Sequence, residues 1–411
     1  MTVSPHHHAL VLVENQSVPL DRRVWPECLA LREQGYAVTV ICPQGGKYDD
    51  EPFELREGVE IHRYRPAFAD GSTFGYLREY WTALWQTTRL VYRLRGRRFD
   101  VVHACNPPDL LLLAALPLKL RRRGIRFVFD HHDVVPELYR CRVGTRRTLF
   151  YRVARVLEAI TFRLADVVIA TNESYRELAI ERGGKQPEDV FVVRNAPNGG
   201  LTPAEPDPSL RRGKPYLLGY VGFMGRQDGV DVAMHALREL AQRRRDWHAI
   251  FVGAGEMLAD VRRLATELGI DDCVEFTGFI DDQERIRRVL ATADVCLAPE
   301  PKNAYTDIST MIKIGEYMAM SRPVVSFELT ESRVTAGDAA VYAEPNDPRS
   351  FAACIDRLLD DADCRRLMGA IGRRRVENGL SWDHSKQELL AAYERALNDH
   401  ANGSAAVVRV D

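Results

Sequence analysis

A polar segment in the second half of the chain combines a cation, a carboxylate and two hydroxyls at helical spacing. It follows a predicted strand that ends at Pro299 and leads into a predicted helix that begins near Ser309 and Thr310. The free amides and the positive dipole end of such a helix attract anions. Lys313 lies three residues after Thr310, so both can face one phosphate group, and Glu316 follows three residues later.

This spacing has two interpretations. In the first, Lys313 contacts a diphosphate, and Glu316, about 4.5 Å further along the helix axis, accepts hydrogen bonds from sugar hydroxyls. In the second, the two residues form a solvated ion pair on an amphipathic helix. The residues alone favour neither. Lysine is rare in this chain, and Lys313 is one of seven lysines among 56 basic residues.

A glycine-rich turn precedes this segment. It follows the predicted strand 216–222 and contains Gly222, Gly225 and Arg226 before the next predicted helix. The glycines would let the backbone approach a ligand, and Arg226 would add a positive charge. The alternative is an ordinary strand-to-helix turn that binds nothing.

Several common ligand and metal motifs are missing from the sequence. No Gly-x-Gly-x-x-Gly follows the first predicted strand, 9–14, which argues against a nicotinamide or flavin site there. Walker A, HExxH and GxSxG motifs do not occur, and the eight cysteines have no metal-type spacing. We therefore expect neither a metal nor a tightly bound cofactor. The cysteines in apolar runs and the lack of a long apolar leader favour a reducing, cytoplasmic setting.

Composition narrows the class of protein. The chain has 411 residues, of which 45% are hydrophobic and 28% are charged. These values are typical of a globular protein, and no apolar run approaches the ~18 residues that a membrane-spanning helix needs. The net charge of −2 argues against a nucleic-acid partner, because such binding depends on excess positive charge.

The elements that must position these residues alternate along the chain. Short apolar strands alternate with amphipathic helices up to a proline- and glycine-rich stretch at 195–215, and the alternation then resumes. Such alternation predicts parallel strand–helix–strand units and a sheet covered on both faces. We therefore predict the α/β class, with two doubly wound, Rossmann-like domains facing a central cleft. The predicted parts are an N-terminal domain at 1–198, a C-terminal domain at 199–380 and a helical segment at 381–411.

Four segments resemble glycosyltransferase family 4. In the family's order they are HACNPPD (103–109), DHHDVVPE (130–137), GFMGRQDGVD (222–231) and STMIKIGEYMAMSRPVV (309–325). The resemblance extends over nearly the whole chain. It implies a GT-B fold and retaining, metal-independent transfer of a sugar from a nucleoside-diphosphate sugar to an acceptor hydroxyl. It also implies that the C-terminal domain binds the donor and that the helix in 381–411 crosses back to the N-terminal, acceptor-binding domain.

Donor-side roles follow from this resemblance residue by residue. Glu316 matches the second Glu of the family's Glu-x7-Glu motif, which contacts the donor ribose. The position of the first Glu is Ile308, and we expect the neighbouring Asp307 to replace it. Two positions that are often basic in the family are not basic here, and Arg226 and Lys313 are the predicted replacements at the diphosphate. The predicted donor-binding residues are Gly222, Gly225, Asp307, Ser309, Thr310 and Glu316.

The resemblance also assigns residues in the first half. His132 matches the His of the family's His-Asp turn near the donor sugar, and we predict it as catalytic together with the two basic replacements. His131 is the weaker candidate of the adjacent pair. Asn106 and Asp109 resemble a loop on the acceptor side. Asp133 is either a further acceptor-side residue or a helix cap.

The sequence says less about the acceptor. A predicted helix at 76–95 carries aromatic residues and arginines, which suits a membrane interface or a lipid-linked acceptor. The slightly favoured alternative is an aromatic stripe in the domain core. Peripheral contact with the inner face of a membrane therefore stays a hypothesis. Two other functions stay open: a GT-B sugar-nucleotide epimerase or phosphorylase, and a non-catalytic subunit that binds a nucleotide.

Overall fold

Two compact units make up the chain. The computed structural model describes residues 7–45, 49–67, 73–122, 124–143, 148–197 and 204–405. Unit 1 contains the residues up to Arg194 and those from Asp383 onward, and unit 2 is Asn195–Trp382. The predicted boundaries after residues 198 and 380 lie within a few residues of these divisions.

Unit 1 is built around an eight-stranded sheet. Its strands are β1 (His8–Leu12), β2 (Ala37–Pro43), β3 (Phe53–Arg56), β4 (Val59–Tyr64), β5 (Val101–Cys105), β6 (Arg126–His131), β7 (Val167–Ala170) and β8 (Val190–Val192). The strand order is β3-β4-β2-β1-β5-β6-β7-β8, and only β3 pairs antiparallel, with β4. Its helices are α1 (Val24–Glu33), α2 (Thr73–Arg93), α3 (Leu116–Arg121), α4 (Val135–Val143), α5 (Thr148–Leu164), α6 (Glu173–Glu181) and α14 (Trp382–Ala405), which starts at the unit boundary.

The central strands of this sheet are buried along almost their whole length. Every residue of β5 is buried, as is every residue of β1 after His8. Continuous apolar strands of this kind form where helices cover both faces of a parallel sheet. The connections change direction between β1 and β5, and ligands of doubly wound sheets bind beyond the carboxyl ends of the strands at such a switch point.

Unit 2 has a smaller sheet of the same design. Its strands are β9 (Tyr216–Val221), β10 (Trp247–Val252), β11 (Val274–Gly278), β12 (Val295–Ala298), β13 (Val324–Phe327) and β14 (Ala340–Ala343). The order is β11-β10-β9-β12-β13-β14, with all neighbours parallel and the switch point between β9 and β12. Its helices are α7 (Val230–Ala241), α8 (Leu258–Glu267), α9 (Gln283–Thr292), α10 (Ile312–Ala319), α11 (Thr330–Ala336), α12 (Pro348–Asp360) and α13 (Ala362–Arg375).

The predicted pair of doubly wound α/β domains is confirmed, with local corrections. The sequence pattern predicts one helix over 108–123, whereas the structure has a 3-10 helix over Asp109–Ala115 that continues as α3. The pattern does not predict β3, α4 or α11. The short edge strand β3 is mostly exposed and has no apolar run, so it lacks the signal that identified the central strands.

The last helix, α14, packs within unit 1. The hydroxyl of Tyr393 lies 2.9 Å from Nδ1 of His103, and Arg395 forms an ion pair of 2.9 Å with Asp189. Lys386 pairs with Glu33 of α1. The end of the chain thus contributes buried and charged contacts to the first sheet domain.

Candidate active site

Both motifs of the second half lie at the switch point of unit 2. The glycine-rich turn at 222–229 follows β9, and the polar segment at 299–311 follows β12. Because β9 and β12 are neighbours, the two loops emerge side by side from the same edge of the sheet. The fold therefore brings together two segments that are about seventy residues apart in the sequence.

Lys313, the predicted diphosphate contact, is buried and paired. Its side chain is 9% exposed, and Nζ lies 2.5 Å from Oε1 of Glu300. Nζ also donates a hydrogen bond of 3.0 Å to the hydroxyl of Tyr220, and it lies 4.0 Å from Asp228. Burial alone would lower the pKa of Lys313, but Glu300, Tyr220 and Asp228 outweigh it and hold the pKa well above its usual value. Lys313 therefore stays charged, with its charge balanced inside the protein.

Glu300 was not among the site residues predicted from the sequence. It is 1% exposed, and its Oε2 accepts no hydrogen bond from any residue in the described ranges. A buried carboxylate needs a compensating charge, which here is Lys313. The sequence does offer a signal for Glu300, because it is an acidic residue directly after the apolar strand predicted to end at Pro299.

The glycines of the turn are required by close packing. Gly222 has φ +152°, and a Cβ there would lie 2.9 Å from both Cε and Nζ of Lys313. Gly229 has φ +65°, and a Cβ there would lie 2.1 Å from the carbonyl oxygen of Pro299. The amide of Gly225 donates to Oδ2 of Asp228. The turn is therefore shaped by its contacts with the loop after β12 and with Lys313.

Arg226 is the accessible cation of this region. It is exposed at the start of a 3-10 turn, Arg226–Asp228, that leads into α7. Across the described part of the chain, Arg226 has neither an ion pair nor a hydrogen bond from its side chain. Of the two predicted diphosphate contacts, Arg226 is the one whose charge is available to a ligand.

The other predicted donor-side residues have separate positions. The predicted helix start near Ser309 and Thr310 is wrong, since α10 begins at Ile312 after the N-cap Met311. Oγ of Ser309 donates instead to the carbonyl of Tyr305 at 2.7 Å. Ser309 and Met311, on either side of Thr310, are both extended, so Thr310 precedes the helix and does not share a helical turn with Lys313.

Asp307 and Glu316 differ in their surroundings. Oδ1 of Asp307 accepts from the backbone amide of Thr330, Oδ2 accepts from the Thr330 hydroxyl, and Lys302 lies 3.3 Å away. The carboxylate predicted to replace the first Glu is thus engaged at the start of α11. Glu316 is half-buried in α10, three residues beyond Lys313.

In unit 1, His132 is oriented by a buried aspartate. Nε2 of His132 lies 2.5 Å from Oδ2 of Asp130, which is fully buried, while the His132 side chain is 14% exposed. Burial would raise the pKa of Asp130, but Arg23 and His132 hold it well below its usual value. An ionised carboxylate can only accept hydrogen bonds, so Nε2 of His132 carries a proton. Nδ1 is then the ring nitrogen left for other contacts.

Arg23 completes this arrangement and was not predicted. Its Nη2 lies 2.7 Å from Oδ1 of Asp130 and its Nε lies 3.1 Å from Oδ2. Its Nη1 donates to the carbonyl of Val193 at 2.7 Å. Arg23 therefore neutralises Asp130 and ties the loop after β1 to the end of β8. The sequence does offer a signal for Asp130, because it is a charged residue at the end of the apolar segment RFVFD (126–130).

Asn106 fixes the turn that carries His132. Its Oδ1 accepts from the amides of His132 at 2.6 Å and Asp133 at 3.1 Å, and its Nδ2 donates to the Asp133 carbonyl and to Oδ1 of Asp109. Burial, with the nearby carboxylate of Glu158, raises the pKa of Asp109 to about 8. Asn106, Asp109, His132 and Asp133 thus form one hydrogen-bonded group at the carboxyl ends of β5 and β6.

His131 is a core residue. It is fully buried, and neither ring nitrogen has a hydrogen-bond partner within the described ranges. Its ring packs against Phe129, Phe162 and Tyr175. Burial, followed by the nearby His132 and Arg182, lowers the pKa of His131 to about 3, so the ring stays neutral. Of the two adjacent histidines, His132 alone is partly accessible.

One group of side chains has donor atoms close enough for a metal. His103, Cys105 and Asp130 offer one atom each, all within 4.8 Å of one another. The group does not suit a cation, because Asp130 is already paired with Arg23 and burial raises the pKa of the Cys105 thiol well above its usual value.

Comparisons with known proteins identify the family of the chain. The family described as "Glycosyl transferase 4-like domain" matches residues 20–196, and "Glycosyl transferases group 1" matches residues 215–361. A relative, the MMP alpha-(1->4)-mannosyltransferase of Mycolicibacterium hassiacum, is 30% identical over 74% of this chain and 73% of its own length. The 2-deoxystreptamine glucosyltransferase of Streptomyces kanamyceticus is 26% identical over 72% of this chain and 78% of its own.

Solved structures show the same fold. Sucrose-phosphate synthase from Thermosynechococcus elongatus matches with a TM-score of 0.75 at 17% identity, over 96% of this chain and 100% of that one. Anabaena HepE, solved in complex with UDP-glucose, matches with a TM-score of 0.69 at 18% identity, over 95% and 100%. By its two family matches, its relatives and its paired Rossmann-like sheets, the chain belongs to the GT-B glycosyltransferases of the family 4 type.

Proposed function

We propose that this glycosyltransferase is retaining and metal-independent, and that it moves a sugar from a nucleoside-diphosphate sugar to an acceptor hydroxyl. The observation that carries the proposal is Arg226, an exposed and unpaired cation within the described residues, at the switch point of unit 2. An accessible guanidinium binds phosphate oxygens through two parallel hydrogen bonds. Unit 2 is thus the donor-binding domain of the proposal, and unit 1 the acceptor-binding domain.

The nucleotide-sugar donor has support from named proteins. The HepE structure contains UDP-glucose. A mannosyltransferase of Mycobacterium tuberculosis, 30% identical over 43% of this chain, is named as GDP-mannose-dependent. Both donors join a sugar to a nucleoside diphosphate, which is the group that Arg226 would bind.

The proposed reaction needs no protein nucleophile. The bond between the anomeric carbon and the diphosphate oxygen breaks, and the diphosphate keeps the electron pair. The acceptor oxygen bonds to the anomeric carbon on the face that the diphosphate leaves, and its proton passes to a phosphate oxygen. Arg226 would stabilise the charge that develops on the diphosphate, as preorganised donors do in other enzymes.

His132 is the proposed contact of unit 1 with the transferred sugar, as the family resemblance implies. Asp130 holds the ring by Nε2, and Asn106 holds the backbone of the same turn. The orientation of the imidazole is therefore fixed before a ligand binds, which reduces the cost of ordering it. Nδ1 would form the hydrogen bond to the sugar.

We propose a lipid-linked acceptor and a cytoplasmic location. The mycobacterial relative named above acts, by its name, on a phosphatidylinositol dimannoside. The deoxystreptamine relative is named for a small-molecule acceptor, so a soluble acceptor is the competing possibility. An exposed aromatic surface of unit 1, described below, favours the lipid.

Donor hydrolysis tests the proposal without a known acceptor. The protein is incubated with UDP-glucose or GDP-mannose in EDTA, with a protein-free control, and NMR follows the first sugar released. We expect nucleoside diphosphate and a sugar that keeps the anomeric configuration of the donor. An inverted sugar or a strict metal requirement would contradict the proposal. An epimerised donor would indicate an epimerase, and a requirement for phosphate would indicate a phosphorylase. Binding of the donor without turnover would indicate a non-catalytic subunit.

A further inference from the structure

Helix α2 presents aromatic side chains to solvent. Trp81 is 71% exposed, and Trp85 and Tyr92 are each 62% exposed. Their spacing of four and seven residues places them on one stripe of the helix. The favoured interpretation of these aromatics as a core stripe is therefore wrong for these three residues.

Helix α5 has a second outward stripe. Leu149, Val153, Val156 and Ile160 are exposed and follow one another at intervals of four, three and four residues. This is the apolar face of an amphipathic helix, and such a face is normally buried. Two long helices of unit 1 thus direct apolar stripes away from its core.

The two stripes belong to one side of unit 1. Both α2 and α5 pack against the 3-10 helix Asp109–Ala115, which lies between them along the chain and continues as α3. α3 adds Leu120, which is 77% exposed. The connections through α2, α3 and α5 all run in the same direction across the sheet, so right-handed crossovers place these helices on one face of it.

The exposed charges on α2, α3 and α5 have one sign. α2, α3 and α5 contain two acidic residues: Glu158, which is fully buried, and Glu79, which is half-buried and lines a cavity of about 270 Å³ with Glu14. Every exposed charged side chain described on the three helices is an arginine. We call this surface the aromatic–arginine face, defined by Trp81, Trp85, Tyr92, Leu120, Leu149, Val153, Val156, Ile160 and by Arg78, Arg89, Arg93, Arg121, Arg152, Arg163.

We propose that the aromatic–arginine face docks unit 1 on a bilayer surface that contains anionic lipids. Apolar and aromatic side chains beside arginines suit the boundary between acyl chains and anionic headgroups. A second copy docked through the same face would bring arginines against arginines, which is unfavourable. Among the described helices, none is long and apolar enough to cross a membrane, so the proposed contact lies along the surface.

This inference rests on the proposed function in one respect only, the lipid-linked acceptor. Docking would bring unit 1 to the surface at which such an acceptor is presented. Binding to vesicles is measured without donor or acceptor, so its failure would leave donor hydrolysis unaffected, and the reverse also holds.

The experiment is flotation of the full chain with vesicles of phosphatidylcholine, alone or mixed with phosphatidylglycerol, at low and high salt. We expect binding to the anionic vesicles, weakened by salt, and little binding to phosphatidylcholine alone. Arg89→Ala with Arg93→Ala should weaken binding by about fivefold per arginine. Trp81→Ser with Trp85→Ser should weaken it at least as much.

Matched surface variants serve as controls. Phe279→Ser and Arg349→Ala change an exposed aromatic and an exposed arginine of unit 2, and both should bind vesicles like the wild type. Circular dichroism checks that each variant is folded. No binding to anionic vesicles at low salt would overturn the proposal, as would a solution dimer that the Trp81/Trp85 variant dissociates. Equal losses in the control variants would also overturn it.

Discussion

Unit 1 and unit 2 each bury an ion pair at the carboxyl ends of their strands, but different elements supply the two partners. In unit 1, Asp130 of β6 pairs with Arg23, which directly precedes α1. In unit 2, Lys313 of α10 pairs with Glu300 in the loop after β12. Each pair lies beside one more accessible group, His132 or Arg226. We propose that the compensated pairs support the architecture and that His132 and Arg226 are the residues that contact ligands.

The largest effect is expected for a substitution that breaks the ion pair of unit 2. Lys313→Ala would leave Glu300 buried without a compensating charge, and we expect a loss of about 3–5 kcal/mol in the free energy of unfolding. Urea denaturation at neutral pH measures it. Inactivity of this variant would therefore not identify a phosphate contact.

A double variant is the control for this prediction. Lys313→Met with Glu300→Gln removes both charges and should lose clearly less stability than Lys313→Ala. If Lys313→Ala loses less than about 1 kcal/mol, the pair has no architectural role, and the comparison fails for unit 2.

The next prediction separates catalysis from stability in unit 1. His132→Ala should lower turnover of the accepted donor by about 100-fold or more, because a preorganised hydrogen bond to the reacting sugar is lost. Its stability should fall less than that of Lys313→Ala, since Arg23 still compensates Asp130 when His132 is removed. The matched control is His131→Leu, which keeps an apolar group in the cage of Phe129, Phe162 and Tyr175 and should retain most of the activity. Equal activity of the two variants would refute the assignment.

A smaller effect concerns pH. The pKa of Asp109 is raised from 3.8 to about 8, chiefly by burial and then by Glu158, so the folded chain keeps a proton that the unfolded chain releases. The stability gained from this proton is complete below pH 3.8 and is lost as the pH rises through 8. Relative to Asp109→Asn, the wild type should lose stability progressively as the pH rises through this window.

Urea denaturation at several pH values measures this difference. The exposed Asp271→Asn variant is the control for removing a carboxyl group from the surface. If the difference between the wild type and Asp109→Asn is constant with pH, Asp109 ionises normally in the folded chain and the group around Asn106 does not protect it from water.

The sequence predicted the sheets well because their signal is local. Central strands such as β5 and β9 are short apolar runs between turns, and each run alone identifies a strand buried on both faces. The start of α10 was misplaced for a local reason too. Ser309 and Thr310 are typical capping residues, but the Ser309 hydroxyl bonds to Tyr305 and the helix begins later.

The partners of charged residues could not be predicted, because they depend on tertiary contacts. Glu300 is thirteen residues from Lys313, and Arg23 is 107 residues from Asp130. Whether Trp81 and Trp85 face the core or solvent could not be predicted either. Aromatic residues at helical spacing fit a buried stripe and an exposed stripe equally well. Only the packing of α2 on the rest of unit 1 decides between the two.

The proposed function depends most directly on Arg226, and calorimetric titration of the full chain with UDP, GDP and dTDP tests this residue. We expect the wild type to bind at least one of these nucleotides. Arg226→Ala should bind the same nucleotide about 10–100-fold more weakly, the range for hydrogen bonds to a charged group. The exposed Arg349→Ala variant should bind like the wild type. No binding by the wild type, or equal binding by Arg226→Ala, would contradict the proposed role of Arg226 in binding the donor.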